Sequence, residues 1–421
     1  MTPRRRHSRA PNWAIPAVYA VLAILAGLLL PRLETSLFPG SRSGLGPVAA
    51  MAIFSAVGSG MIALTGIVFS LAFVMLQFSA TAYSPRLVLW LARDRVLWHS
   101  VGLFSATFLY SIAAIAWVGR AGTEGTPFVS GWLVIALLLA SVGMFIALIE
   151  KISLLQINRM LAFTTAHGRR VIEETYPPLA ADATRPDRSE YQRLPLTHTL
   201  YHAGAPGTVQ ALDVPRLQAL SKATGAVLVV IAAVGDTLVE GSEMLRAFGG
   251  RQPVDEDKLR RAFELGSERT FAQDPKYAIR LLVDIAIRAL SPAVNDPTTA
   301  VQALDQIEDL LRRLGQRRLE IGALRDEGGL RLVIPYPTWE DFLALAFDEI
   351  RYCGATSVQV MRRMRALFAD LIAALPEERQ TSLRDHQRRL EATVARSFRD
   401  AEELEDASVE DRQGLGAPTR R

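Results

Sequence analysis

Residues 48–79, VAAMAIFSAVGSGMIALTGIVFSLAFVMLQFS, contain no Lys, Arg, Asp or Glu. The hydrocarbon core of a bilayer is about 30 Å thick, so a helix crosses it with about 20 apolar residues. Backbone groups in lipid must satisfy their own hydrogen bonds, which favours a helix over an isolated strand. Residues 13–30, 97–118 and 130–149 have the same uncharged, apolar character. The sequence therefore predicts an α-helical integral membrane domain of four transmembrane helices over residues 13–150.

Charged residues are concentrated outside this domain. Lys and Arg number 47 and Asp and Glu 43, but only ten of them lie between Trp13 and Glu150. The later part of the chain therefore has the composition of a water-soluble domain. The net charge of +4 comes without a basic, aromatic-rich stripe, so no nucleic-acid partner is expected.

One face of the 48–79 helix carries small and polar residues at helical spacing. This face, the helix-two seam, consists of Ser55, Ser59, Gly66, Ser70 and Gln77, with Ile62 and Phe73 between them. Small residues let helices approach closely in lipid. One interpretation is packing inside the bundle of one subunit, and the other is a subunit interface or the lining of a polar pathway. A proton-coupled carrier usually needs an intramembrane carboxylate or base, and Glu150 is the candidate for it. Glu150 falls at a helix end, so the sequence favours an uncharged conduit over such a carrier.

Basic residues near the ends of the spans predict the orientation. Four precede the first span, three lie between the second and third, and four follow the fourth, which makes eleven on one side. Arg32, Arg42 and Arg120 lie on the other side, so both termini are predicted in the cytoplasm. The first span lacks a small-residue cleavage site and is predicted to be retained. A short amphipathic helix over residues 85–95 is expected at the membrane surface.

The region after residue 150 is predicted to be a cytoplasmic α+β domain that is mostly helical. Short β-prone segments between turn residues indicate a sheet-containing part, and repeated helix-start signals indicate the helical part. The predicted segments are a basic cytoplasmic N-terminus (1–12), a helical extension and linker (151–189), a small α/β or barrel-like module (190–250), a helical domain (251–405) and a disordered tail (406–421).

Two Asp-Pro pairs, at 274–275 and 296–297, indicate helix starts, because aspartate accepts the free N–H groups and proline suits the first turn. The candidate ligand or ion loop comprises Arg269, Gln273, Asp274, Ser291, Asn295, Asp296, Thr298 and Thr299. The functional interpretation brings the two groups close in space to hold an ion, such as an anion at a helix N-terminus. The structural interpretation is helix capping around a tight turn, which is favoured because a capping aspartate repels an anion.

Two motifs resemble those of a known family. The first runs from GIVFS at 66–70 through QFS at 77–79 to YSPR at 83–86, and the second joins RTFAQD at 269–274 to ALSPAVNDPTTA at 289–300. Over residues 10–375 the chain resembles the uncharacterised bacterial membrane proteins grouped as domain of unknown function 2254. The resemblance implies several N-terminal transmembrane helices and a cytoplasmic C-terminal domain, but no activity and no catalytic residues. Ala293 stands where members often have glycine, which suggests that this position does not need a positive φ.

No motif indicates a reaction. The sequence has no G-x-S-x-G elbow, P-loop or G-x-G-x-x-G fingerprint, so neither an enzyme nor a cofactor is predicted. His198 and His202 have the spacing of some zinc ligands, but the glutamate of H-E-x-x-H is missing, so no metal site is predicted. The single cysteine, Cys353, excludes an intrachain disulfide and suits a reducing cytoplasm.

These features favour an oligomeric protein of channel or transport type in the bacterial inner membrane, with a regulatory cytoplasmic domain. The alternative is a non-conducting, membrane-anchored sensor or scaffold that binds a ligand or partner through that domain. The expected partners are the lipid bilayer and further copies of the chain, together with an ion or small molecule that the sequence does not identify.

Overall fold

The structure is a computed structural model that describes residues 13–37, 46–82, 95–118, 128–153, 157–179, 190–327 and 329–416. The chain divides into two compact units, Met1–Gln156 and Ile157–Arg421, called here unit one and unit two. The predicted N-terminal segment 1–12 and the core of the predicted surface helix at 85–95 lie outside the described residues.

The described part of unit one is a bundle of four helices. They are α1 (Ala14–Leu37), α2 (Pro47–Ala82), α3 (Arg95–Val118) and α4 (Phe128–Ser153). All four are long and apolar enough to cross a membrane, and each contains most of one of the four predicted spans. α3 packs against each of the other three and is the central helix.

Two of these helices extend beyond the predicted segments. α1 continues through Pro31 to Leu37, although proline removes one helix N–H group. α2 has 36 residues, which gives a length of about 54 Å at 1.5 Å per residue. Its candidate span is Pro47–Ser70. Because the hydrocarbon core is about 30 Å thick, α2 either tilts steeply or projects beyond it.

Unit two contains two sheets around one apolar core. The strands are β1 (Leu196–Tyr201), β2 (Gly207–Leu212), β3 (Ala226–Val230), β4 (Thr237–Leu238), β5 (Glu243–Gly249), β6 (Phe263–Gly266), β7 (Ala323–Asp326) and β8 (Gly329–Val333). The first sheet has the order β1-β5-β3-β8-β7 and the second β4-β2-β6. Neighbouring strands are antiparallel except β3 and β8. Leu200, Val209 and Leu245 from both sheets join the core, together with Leu217 of α6 (Val214–Thr224) and Leu259 of α7 (Glu256–Arg260).

Helices complete unit two. They are α5 (Ile157–Thr175), α8 (Pro275–Ala289), α9 (Pro297–Gly315), α10 (Trp339–Cys353), α11 (Val358–Ala374), α12 (Glu377–Ser397) and α13 (Ala401–Ala407). α5 packs against α8 and α9. A Cβ added at Gly168 of α5 would lie 2.8 Å from the Cβ of Ala278 in α8, so the approach requires glycine. α5, predicted as part of an extension and linker, is thus a packed member of unit two.

The predicted module boundary at residue 250 is wrong. β6 pairs with β2, and β8 lies inside the first sheet beside β3, so both sheets recruit strands from the segment predicted to be helical. Parallel strands need a long crossover connection, and here α8 and α9 lie between β3 and β8 along the chain. The local pattern around residues 190–250 does not show which later strand will pair with β3.

The predicted disorder of residues 406–421 is wrong for the residues described, which end at 416. The carboxylate of Asp411 is fully buried and accepts three backbone N–H groups of residues 413–416 at 2.7 to 3.0 Å. Arg362 of α11 is also buried and donates to the Asp406 carboxylate at 2.8 Å. The polar composition indicates disorder, but these charged contacts order the segment against α11.

Candidate functional sites

The helix-two seam lies on the outer surface of unit one. Ser55, Ser59, Gly66 and Ser70 are all exposed, and the side chain of Gln77 lies outside the described residues. The buried large side chains of α2 are Phe54, Val57, Met61 and Val68. These bulkier residues form a neighbouring face of α2, and α2 packs on α3. Packing of the seam inside one subunit, one of the two predicted interpretations, is therefore wrong for these residues.

The exposed surface of α2 differs from that of α1. In α1, Val18, Leu22 and Leu25 are 55%, 60% and 47% exposed, and such branched apolar side chains suit contact with lipid. The seam presents serine hydroxyls and a glycine instead, and a Cβ added at Gly66 would meet nothing within 4 Å. Small residues are enriched where membrane helices meet. Among the described residues the seam thus has the composition of a helix interface without a helix against it.

Gln273 and Asp274 join the start of α8 to its surroundings. The Gln273 side-chain amide accepts the N–H of Leu212 at 3.0 Å and donates to the carbonyl of the same residue at 3.1 Å. The Asp274 carboxylate accepts the N–H of Tyr277 at 3.1 Å and lies 2.9 Å from the Arg269 guanidinium. These side chains therefore have structural partners within unit two.

Burial has the largest effect on the pKa of the Asp274 carboxyl. Its side chain is 3% exposed, and this burial raises the pKa of the carboxyl, although the Arg269 guanidinium and the Tyr277 N–H act in the opposite direction. The guanidinium itself packs on Gly235, which has φ +94°, and a Cβ there would lie 2.0 Å from it. A glycine turn therefore makes room for the ion pair.

The segment from Ser291 to Thr299 connects α8 and α9. Asp296 accepts the N–H of Thr299 at 3.1 Å and the hydroxyl of the same residue at 2.6 Å, which caps α9. The carbonyl of Ser291 accepts the N–H of Asn295, whose φ is +48°. Asparagine adopts this left-handed conformation more readily than most residues. The positive φ lies at Asn295 and not at Ala293, in agreement with the prediction for Ala293.

The structure separates the two predicted groups. Asp274 and Ser291 flank α8, whose 15 residues make it about 22 Å long. The expectation that residues 269–274 lie close to residues 291–299 is therefore wrong. Thr298 instead accepts a hydrogen bond from Gln359 of α11 at 3.4 Å. The contacts at both ends of α8 favour helix capping over ligand binding.

Glu34 is a buried carboxylate in unit one that the sequence pattern did not indicate. It is 5% exposed and accepts the N–H groups of Val129 and Ser130, in the first turn of α4, at 2.8 and 3.3 Å. The predicted span ended before Pro31, which placed Glu34 in a loop. Glu34 lies seven residues after Gly27, and two helical turns place both residues on one face of α1. This spacing could have indicated the position of Glu34. Gly27 packs against α3, so this face points into the bundle.

Comparison with known proteins supports a family assignment but no activity. A family model described as "Predicted membrane protein (DUF2254)" matches residues 9–370. An uncharacterized protein of Mycobacterium bovis and one of Mycobacterium tuberculosis are each 29% identical to the chain over 366 residues, covering 84% of it and 68% of the relative. No solved structure matches.

Proposed function

The chain belongs to the DUF2254 family of predicted membrane proteins, and we propose that several copies assemble into a channel- or transport-type protein of the bacterial inner membrane. In this proposal the helix-two seams form the contacts between copies or line a shared pathway. Unit two lies in the cytoplasm and regulates or holds the assembly. The exposed position of the seam is the observation that supports this function.

The chemistry of the seam suits such an assembly. A single helix face cannot enclose a pathway, whereas copies arranged around a symmetry axis bring identical faces together. Ser55, Ser59 and Ser70 supply hydroxyl dipoles without a fixed charge. A lining of this kind favours a weakly selective, uncharged conduit over a carrier that couples transport to an intramembrane base.

Two glycines provide a matched pair of variants. Gly66 lies in the seam of α2 and Gly143 in α4, both are exposed, and a Cβ added at either would meet nothing within 4 Å. Either leucine substitution is therefore accommodated in one copy. We expect Gly66→Leu to shift the purified protein from an oligomer to smaller species, because the larger side chain keeps the seams apart. Gly143→Leu serves as the control and is expected to leave the size unchanged.

The measurement combines particle mass in nanodiscs with ion flux in liposomes. A wild-type monomer, or an equal effect of both leucine variants, would contradict assembly through the seam. An oligomer that passes no ions would instead favour the alternative of a membrane-anchored sensor or scaffold that binds through unit two.

A further inference from the structure

A cluster of buried polar groups lies inside unit one, where α1, α3 and α4 meet. The Glu34 carboxylate accepts two N–H groups of α4. The Tyr110 hydroxyl of α3 interacts electrostatically with Ser130 and with Glu34. Tyr110 is 1% exposed and Ser130 3%, and neither hydroxyl forms a hydrogen bond of normal geometry among the described residues. Two orphaned hydroxyls therefore accompany a buried carboxylate.

Capping of α4 alone does not explain this arrangement. The two N–H groups explain why a carboxylate is tolerated at this point, but they leave both hydroxyls unsatisfied. Buried hydroxyls without partners cost free energy, and native proteins keep such groups rare. Glu34 is the last residue of the candidate span Ala14–Glu34, and a buried ionisable residue there is likewise costly and commonly marks a functional site. The hydroxyls therefore point to a further group that contacts them.

α1 packs on Tyr110 through the face that also carries Glu34. Gly27 and Glu34 share one face of α1, and a Cβ at Gly27 would lie 3.8 Å from the Tyr110 ring of α3. Tyr110 and the Glu34 carboxylate therefore belong to the same side of the bundle.

We propose that Glu34, Tyr110 and Ser130 bind a small monovalent cation, a sodium ion. Hard cations prefer oxygen ligands such as carboxylates and carbonyls. Each carboxylate oxygen has two lone pairs, so the N–H groups of α4 leave acceptor positions on both oxygens.

The charge of the site suits a monovalent ion. The N-terminus of a helix carries roughly half a positive charge, which does not cancel the full negative charge of Glu34. A divalent ion would leave an excess positive charge in a buried environment, where uncompensated charge is costly. A single positive charge opposite one carboxylate is therefore the better match.

The site lies within one copy of the chain and does not depend on the proposed assembly. A monomer in detergent is expected to bind the cation as well as an oligomer does. Failure of cation binding would leave the seam proposal intact, and a monomeric protein that binds the cation would contradict the seam alone.

The test measures binding of radioactive sodium to the full-length protein in nanodiscs, together with its melting temperature. Melting is compared in sodium chloride and choline chloride at equal ionic strength. Glu34→Gln is expected to abolish binding. Tyr110→Phe and Ser130→Ala are expected to weaken it about tenfold each, which corresponds to about 1.4 kcal/mol. These two variants remove no hydrogen bond formed in the structure, so they are expected to fold.

The matched control is Tyr19→Phe in the same bundle, because the Tyr19 hydroxyl has a partner in His99 at 3.3 Å. This variant is expected to bind like the wild type. Sodium-specific stabilisation that disappears in Glu34→Gln supports the site. The proposal is overturned if the wild type neither binds sodium nor is stabilised by it, or if Tyr110→Phe and Ser130→Ala behave like Tyr19→Phe.

Discussion

At the scale of single residues, aspartate begins several helices of unit two by the same contact. Asp213, Asp255, Asp274 and Asp296 each accept the N–H of the third residue onward at 3.1 Å. The contact involves only neighbours in sequence, so the Asp-Pro pairs at 274–275 and 296–297 could be recognised as helix starts without a structure. Their polar neighbours were harder to interpret, because local polarity indicates a cap and a ligand site equally well.

Substitution of Asp296 separates capping from ligand binding. Asp296→Ala removes the acceptor for the Thr299 N–H and is expected to cost about 1 kcal/mol of unfolding free energy. For a unit of this size that loss lowers the melting temperature by about 2 to 4 °C. Asp296→Asn is the control and is expected to melt near the wild type, since asparagine caps helices equally well. Equal melting of wild type and Asp296→Ala, followed by thermal unfolding, would contradict the capping role.

At the scale of elements, α1 and α2 share an apolar sequence pattern but expose different kinds of side chain. Both helices are uncharged over their predicted spans, but α1 exposes branched apolar side chains and α2 exposes serine and glycine. The periodicity of the seam was visible in the sequence. The sequence did not show whether the seam faces α3 or faces outward, because that choice depends on the bulk of Phe54 and Met61 on the neighbouring face.

The C-terminal segment is an element formed by side-chain contacts more than by backbone pattern. Asp411→Ala removes the acceptor of three backbone N–H groups and is expected to release residues 408–416 from α11. Hydrogen exchange of these amides is expected to rise about tenfold or more, as in local unfolding. Asp411→Asn keeps one acceptor oxygen and is expected to show a smaller rise. Unchanged protection in Asp411→Ala would mean that the segment is held by other contacts.

At the scale of the whole molecule, the bias of basic residues leads to a prediction about topology. Cys353, at the end of α10, is exposed and is the single cysteine of the chain. If unit two lies in the cytoplasm, a membrane-impermeant maleimide labels Cys353 in inverted inner-membrane vesicles and not in intact spheroplasts. Partial burial raises the pKa of the Cys353 thiol, so labelling requires a mildly alkaline pH to populate the reactive thiolate.

The control for this experiment moves the single cysteine to Leu37, the C-terminal end of α1. Leu37 is 67% exposed and is predicted on the opposite side of the membrane. Leu37→Cys in a Cys353→Ser background is expected to reverse the pattern and be labelled in spheroplasts. Labelling of the wild type in spheroplasts would show that the predicted orientation is wrong.

The long uncharged stretches, the Asp-Pro helix starts and the family motifs were readable from the sequence by itself, because each depends on composition or on contacts between near neighbours. The tertiary structure alone decided that β8 pairs with β3, that the seam faces outward, and that Glu34 and Asp411 are buried. Strand pairing and burial depend on groups far away in sequence. A pattern such as residues 48–79 therefore identifies the helix, whereas its neighbours in space determine which face stays available for function.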